Sequence, residues 1–319
     1  MNPTWVQHLI VLGTLLGVRY TSTDTAGPWC YDDPKCGPEA WAALGDCNST
    51  RQSPINIVTP AAVRNPNLGP VCLTGYGDAG KLSSMKNTGK TVDVHLADGL
   101  RLSAQGLPAT YTAKSFHLHW GQGEVRPGSE HFINHKGFSM ELHIVHTKND
   151  LSTTDALKDP EGIAVLAFFI QATAHARPSP SWKSFTQHLE KVALKGKKTN
   201  LDGSFSLRGL LDSVDLARYY RYQGSLTTPN CDEVVVWTVF PDPILVPPDV
   251  VAAFPSILNS TDSHAGPRLQ NNYRPLQSLG NRQVQASAAL RVAPSSSSTP
   301  RPAALIPLLI SIAAITWQL

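Results

Sequence analysis

The sequence predicts one mainly β domain of the α+β kind, with a few surface helices around a large twisted, mostly antiparallel central sheet. Five short runs carry the strand prediction: TVDVHLA at 91–97, YTAKSFHLHW at 111–120, FSMELHIVH at 138–146, GIAVLAFFIQA at 162–172 and EVVVWTVF at 233–240. They have strand length, are rich in β-branched and aromatic residues, and are separated by joins of glycine, proline and asparagine. Helical patterns are the second observation, and there are too few to alternate with these strands in a doubly wound sheet. WKSFTQHLEKVAL at 182–194 puts Trp182, Phe185, Leu189 and Val192 on one side of a helix. LRGLLDSVDLARYY at 207–220 can hold a short one. Third, nothing before residue 294 repeats or breaks the body into two domains.

The two ends read as segments apart from the fold. Residues 9–17 are nearly all apolar, with small and polar residues following. That predicts a signal peptide over 1–24, because the run is too short to span a bilayer. At the other end PSSSSTPRP (294–302) is a polar spacer, and AALIPLLISIAAITWQL follows with no charge in it or after it. Small residues, a spacer and a terminal apolar tail form the pattern of glycolipid anchoring, in which the tail is removed. The candidate attachment residues run from Ser287 to Ser295, and a retained span is the rival reading. The domain is then 25–290, with spacer and anchor signal over 291–319.

A secreted chain explains the other local signals. Five cysteines (Cys30, Cys36, Cys47, Cys72, Cys231) without CxxC spacing point to disulfides in an oxidising compartment, with one left over. Two sequons, at Asn48 and Asn259, predict N-glycosylation. The formal charge is +3, with 27 basic and 24 acidic residues, so no electrostatic argument favours nucleic acid.

The chemistry lies in the histidines. Of 11, four fall in FHLHWG (116–121) and ELHIVH (141–146). A strand repeats its side-chain direction every two residues, so His117 and His119 share a face while Phe116, Leu118 and Trp120 take the other. Glu141 and His143 likewise share a face, with His146 opposite. If the second strand lies beside the first, three neutral imidazoles leave the fourth tetrahedral position open, as in a catalytic zinc site. Glu141 would then fix the ring of His143 from behind. The rival is two unrelated groups of core or surface histidines, and spacing alone does not separate them.

Six pieces, RQSPIN (51–56), FHLHWG, GSEH (128–131), ELHIVH, YQGSLTTP (222–229) and NYRPLQ (272–277), together resemble the α-class carbonic anhydrases, over about residues 28–285. The resemblance implies Zn2+ at the bottom of a cone in the sheet, and reversible hydration of CO2 to bicarbonate and a proton. It implies His117, His119 and His143 as ligands, with Glu141 and Asn272 behind them. Zinc-bound hydroxide attacks CO2 in this family, oriented by Thr227, whose hydroxyl is held by Glu130. Thr227 and Thr228 match the contacts to bicarbonate and to sulfonamide and anion inhibitors. Val145, Val165, Leu226 and Trp237 match the dry wall that receives CO2. The resemblance also implies the pairs Cys30–Cys36 and Cys47–Cys231, as in the glycolipid-anchored extracellular members, leaving Cys72 over.

Two positions depart from the family. Lys90, in NTGKT, stands where the family carries a histidine that relays protons. Histidine titrates near neutrality, whereas a solvated lysine near pKa 10.4 holds its proton too tightly for quick relay at pH 7. Ser115 replaces a glutamine that receives the ring N–H of His117, and a serine needs a water to reach it. An anchored zinc-bearing binding module is the alternative class of function. It would gain weight from the loss of a ligand, of Thr227 or of Glu130, and all are present.

Overall fold

Each of the five expected runs forms a strand in the computed structural model, which describes residues 29–291 except 124–125, 178 and 212–213. The expected signal peptide and anchor tail lie outside the described residues. In chain order the strands begin with β1 (Asn56–Ile57), β2 (Val63–Arg64), β3 (Cys72–Thr74), β4 (Leu82–Asn87) and β5 (Val92–Leu96). There follow β6 (Arg101–Ser103), β7 (Tyr111–Trp120), β8 (Phe132–Ile133), β9 (Met140–Lys148) and β10 (Ile163–Ala172). The last four are β11 (Lys198–Asn200), β12 (Tyr220–Gly224), β13 (Val235–Val246) and β14 (Gln285–Ala286). The helices are α1 (Thr153–Ala156), α2 (Pro180–Leu189), α3 (Leu207–Leu211) and α4 (Pro248–Ile257).

Twelve strands join one sheet in the order β11-β4-β5-β7-β9-β10-β13-β12-β14-β2, with β6 also beside β7 and β3 beside β6. Only β10–β13 and β14–β2 are parallel within it, so the sheet is mostly antiparallel as expected. Its two faces carry separate apolar layers. Phe116, Leu118 and Trp120 of β7 and Leu142 and Ile144 of β9 pack with Phe185 of α2 and Phe254 of α4. Val165, Ala167 and Phe169 of β10 pack on the opposite face with Tyr222, Trp237 and Val239. The absence of alternation in 162–172 follows: residues 163–170 of β10 are buried on both faces.

Two element boundaries differ from the sequence reading, for local reasons. The helix expected over 182–194 starts at Pro180, because the Ser179 side chain accepts from Trp182 N–H and a proline suits the first turn. It gives way to a 3-10 turn, Glu190–Val192. Strand β13 runs six residues past the expected end at 240, through Pro241 and Pro243. Its partner β12 ends opposite Val239. Beyond that point only β10 is alongside, and a register shift between Phe168 and Ile170 accommodates the prolines on an open edge.

Disulfides join Cys30 to Cys36 and Cys47 to Cys231, while Cys72 is free and exposed. The two sequons part company. Asn48 is exposed, but Asn259 has no exposed surface, and neither its Nδ2 nor its Oδ1 finds a partner. A glycan cannot leave a buried Nδ2, so the expectation for Asn259 is corrected. Ser287 is also fully buried: its N–H donates to Tyr219 O and its hydroxyl to Ala217 O at 2.7 Å. Leu290 is buried as well, and Ser287 drops out as an attachment candidate.

Candidate metal centre

Strand register brings the histidines together. His117 lies directly opposite His143, and His119 opposite Glu141, across the β7–β9 pair. A register shift between Ala113 and Ser115 sets this alignment, because without it every residue from 115 on would face a different partner. The next row across the sheet runs Ser115, Val145, Val165, Trp237, Tyr222. Ligand candidates and apolar wall candidates are thus adjacent rows of one pleated surface.

The hydrogen bonds behind the rings decide which nitrogens face inward. His119 Nδ1 lies 2.7 Å from the carbonyl oxygen of Asn272, which can only accept, so Nδ1 carries the proton. His143 Nε2 donates to Glu141 Oε1 at 2.7 Å. The remaining nitrogens, His119 Nε2 and His143 Nδ1, stand 3.1 Å apart. With both rings neutral, two lone pairs face each other there. Sharing a proton would require a cationic ring, yet burial, reinforced by His143, pulls His119 down to about 3. Burial likewise holds His117 well below the usual histidine range. Ligand atoms of His117, His119 and His143 all lie within 4.8 Å of one another. A tetrahedral zinc with Zn–N of about 2.0–2.1 Å needs nitrogens roughly 3.3 Å apart, so the residues fit a small divalent cation.

Glu141 belongs behind the site, although a second group, His131 with Glu141 and His143, also has ligating atoms close together. Its Oε1 accepts from His131 Nδ1 and His143 Nε2, both at 2.7 Å, and its Oε2 from the amides of Glu130 and His131. Four donors occupy this carboxylate, leaving no lone pair for a metal. Burial pushes Glu141 up, but the electrostatic pull and hydrogen bonds of His131 and His143 outweigh it and hold it well below the carboxylate range.

Glu130 is fully buried beside the rings, with Oε1 accepting the Arg274 amide at 2.8 Å. Burial pushes its carboxyl up to about 7, against the opposing pull of His143, the Thr227 side chain and that amide. Its Oε2 has no hydrogen-bond partner among the described residues. Arg274 in turn donates to Gln52 Oε1, Ser53 O and Cys47 O. RQSPIN and NYRPLQ are therefore brought together around Glu130 by one guanidinium.

A cavity of about 500 Å3 opens onto His117, His119 and Thr228, with Lys90, Trp29 and Asp93 also in its walls. Lys90 Nζ sits 4.0 Å from the Trp29 ring centroid. Val165 and Trp237 are buried, with Val145 and Leu226 partly so, in the apolar layer beside the histidines. Trp237 packs edge-on at 4.9 Å from the His143 ring and donates to Ser225 O. Asn272 contributes more than its carbonyl: Oδ1 accepts from Trp120 N–H, and Nδ2 donates to Lys90 O and Leu118 O. Ser115 favours the ionised form of Asp93, and among the described residues the His117 ring makes no hydrogen bond, unlike His119 and His143.

Sequence reasoning missed His131, Arg274 and Asp93. His131 directly follows Glu130 in GSEH and Arg274 lies inside NYRPLQ, so both carried a signal that a residue-by-residue reading could have used. Asp93 carried none beyond its place in an alternating strand.

A mostly antiparallel sheet, three imidazoles whose nitrogens could hold a metal ion, and a cavity onto His117 and His119 define the class of this site. The sequence matches the eukaryotic-type carbonic anhydrase family over residues 36–288. It is 36% identical to carbonic anhydrase 4 of Rattus norvegicus, covering 95% of this chain and 98% of that protein. Carbonic anhydrase 4 of Mus musculus is 39% identical over 88% of this chain and 91% of its own. Carbonic anhydrase 15 of Mus musculus is 36% identical, over 91% and 92%. The chain belongs to this family and is a carbonic anhydrase, an enzyme of carbon dioxide and bicarbonate rather than a binding module alone.

Proposed function

We propose that this chain hydrates carbon dioxide reversibly at one zinc ion held by His117, His119 and His143, on the outer face of the plasma membrane. The 3.1 Å approach of His119 Nε2 to His143 Nδ1, with both outer nitrogens already donating, carries the metal assignment. Bound there, zinc supplies a Lewis acid that brings water deprotonation near pH 7, a general property of such sites and of this enzyme class.

The chain's own groups orient the reaction. An ionised Glu130 can only accept, so the Thr227 hydroxyl donates to it and turns its lone pairs toward the cavity. A hydroxide in the cavity must then donate to Thr227 Oγ1, which aims its own lone pair at the apolar wall of Val145, Val165, Leu226 and Trp237. CO2 is apolar and is received there without competing water. The Thr227 amide and Thr228 receive bicarbonate, and the same groups would receive sulfonamide and anion inhibitors. Glu141 and Asn272 hold the rings of His143 and His119 in the required tautomers.

Location at the cell surface rests on the apolar start, the exposed Asn48 sequon, two disulfides, the 294–302 spacer and the uncharged tail. No helix among the described residues is long and apolar enough to cross a membrane. Glycolipid attachment falls beyond Leu290, on the small residues up to Ser295.

Metal analysis with stopped-flow CO2 hydration on a secreted form lacking the tail tests the assignment. We expect one zinc per chain in the parent, and loss of most zinc and nearly all activity in His119→Ala. Well under one zinc per chain in the parent, purified without chelators, would overturn it.

A further inference from the structure

The ring of His117 is the one member of the proposed ligand set whose outer nitrogen has no acceptor among the described residues. His119 has the Asn272 carbonyl and His143 has Glu141. Yet a ligand ring is normally fixed through its second nitrogen. The neighbouring strand supplies a candidate. Asp93 on β5 lies directly opposite His117 on β7, which puts both side chains on one face with Cβ atoms about 4.5–5.5 Å apart. Asp93 and His117 line the same cavity. In this structure the two side chains make no hydrogen bond to each other, and a carboxylate at that spacing would reach the imidazole nitrogen through one bridging water.

We propose that Asp93 is the positioning residue for His117, accepting through one bridging water the proton on the ring nitrogen turned away from the metal. This rests on the zinc reading above. Asp93 stands in a row across three strands, between Lys86 on β4 and His117 on β7, with His95 two residues along its own strand. Burial raises its carboxyl, while the Ser115 hydroxyl, His95 and Lys86 favour the ionised form. Ser115, in the row beside His117, thus favours the Asp93 carboxylate. The short side chain at 115 and the carboxylate at 93 act as one device: serine leaves room for the carboxylate and orients it. The resulting carboxylate–imidazole pair makes His117 a more basic ligand than an amide acceptor would.

Zinc affinity, measured by competition with a chromophoric chelator at neutral pH, tests this without reference to turnover. Asp93→Ala should bind zinc 10- to 100-fold more weakly than the parent. Asp93→Asn, which keeps an acceptor oxygen, should recover most of that loss. The double variant Asp93→Ala with Ser115→Gln, which supplies a longer acceptor from the neighbouring position, should also bind more tightly than Asp93→Ala. Affinity of Asp93→Ala within twofold of the parent, in a parent that binds one zinc, would overturn the role of Asp93 and leave the zinc reading intact. A loss shared equally by all three variants would also overturn it, since it would report damage to the strand rather than a missing acceptor. A parent that binds no zinc would overturn both.

Discussion

The Tyr76 hydroxyl donates to Nε2 of His146 at 2.5 Å, on the face of β9 opposite His143. The direction follows from the other nitrogen: Nδ1 lies 3.1 Å from the Ala164 carbonyl, which can only accept, so Nε2 has no proton to give. Protonation of His146 would break the pair, and burial holds its pKa down to about 4.

A pH dependence follows with a definite sign. The unfolded histidine titrates near 6.5, so between pH 6.5 and 4 the unfolded chain binds the extra proton and the folded chain does not. The stabilisation is complete above pH 6.5 and is lost as pH falls toward 4. A shift of this size corresponds to about 3 kcal/mol. Denaturant melts at pH 7.5, 6 and 4.5 should show the fall, and His146→Phe should flatten it. The variant should also be weaker at pH 7.5 by about 1–3 kcal/mol, because the Tyr76 hydroxyl loses its acceptor. An unchanged pH slope in His146→Phe would remove His146 from the account.

The Cys47–Cys231 bridge spans 184 residues and lies against Trp41. The chain-entropy estimate for so long a loop is about 5 kcal/mol, although its entropic origin is disputed. Replacing both cysteines by alanine should lower the denaturation midpoint markedly, and opening Cys30–Cys36, with a separation of six, should cost much less. Equal losses from the two pairs would argue against the loop-length explanation.

Lys90 Nζ lies over the Trp29 ring at the cavity wall, and an ordinary lysine titrates at about 10.4, far above neutrality. A group that keeps its proton relays poorly, so regeneration of hydroxide should limit turnover in dilute buffer. Lys90→His should raise kcat at pH 7 several-fold and leave kcat/KM nearly unchanged. Imidazole-type buffers should accelerate the parent more than the variant. A parent that is already fast and indifferent to buffer would mean that another group or a water chain carries the proton.

For the anchor, treatment of intact cells with a phosphatidylinositol-specific lipase should release the enzyme. The attachment residue found by peptide mapping should fall after Leu290, since Ser287 is locked by hydrogen bonds to Tyr219 and Ala217 inside the fold. Persistent failure of release, with a tag after Leu319 surviving in the mature protein, would establish a retained span instead.

Much of the site was legible because it depends on the strand pleat, which is local. His-x-His in a strand must place His117 and His119 on one face and Phe116, Leu118 and Trp120 on the other, and the two apolar layers obey that rule. His143 was a candidate from the same pleat, and the motif resemblance added Glu130 and Thr227 as candidates, because those short pieces keep their order along the chain.

What only the tertiary structure decided is non-local. Which residue faces His117 depends on the register shift at Ala113/Ser115, and no property of either strand alone sets it. His119 is fixed by a backbone carbonyl, that of Asn272, arriving from 153 residues away, and a carbonyl leaves no mark in residue type. Asn259 satisfies the glycosylation pattern, which is local, but is buried with its Nδ2 enclosed, which is not. Asp93 reads as one polar residue of an alternating strand until the sheet sets it opposite His117. Side-chain direction along a strand repeats every two residues and can be counted from the sequence. The partner across the strand is chosen by the energy of the whole sheet.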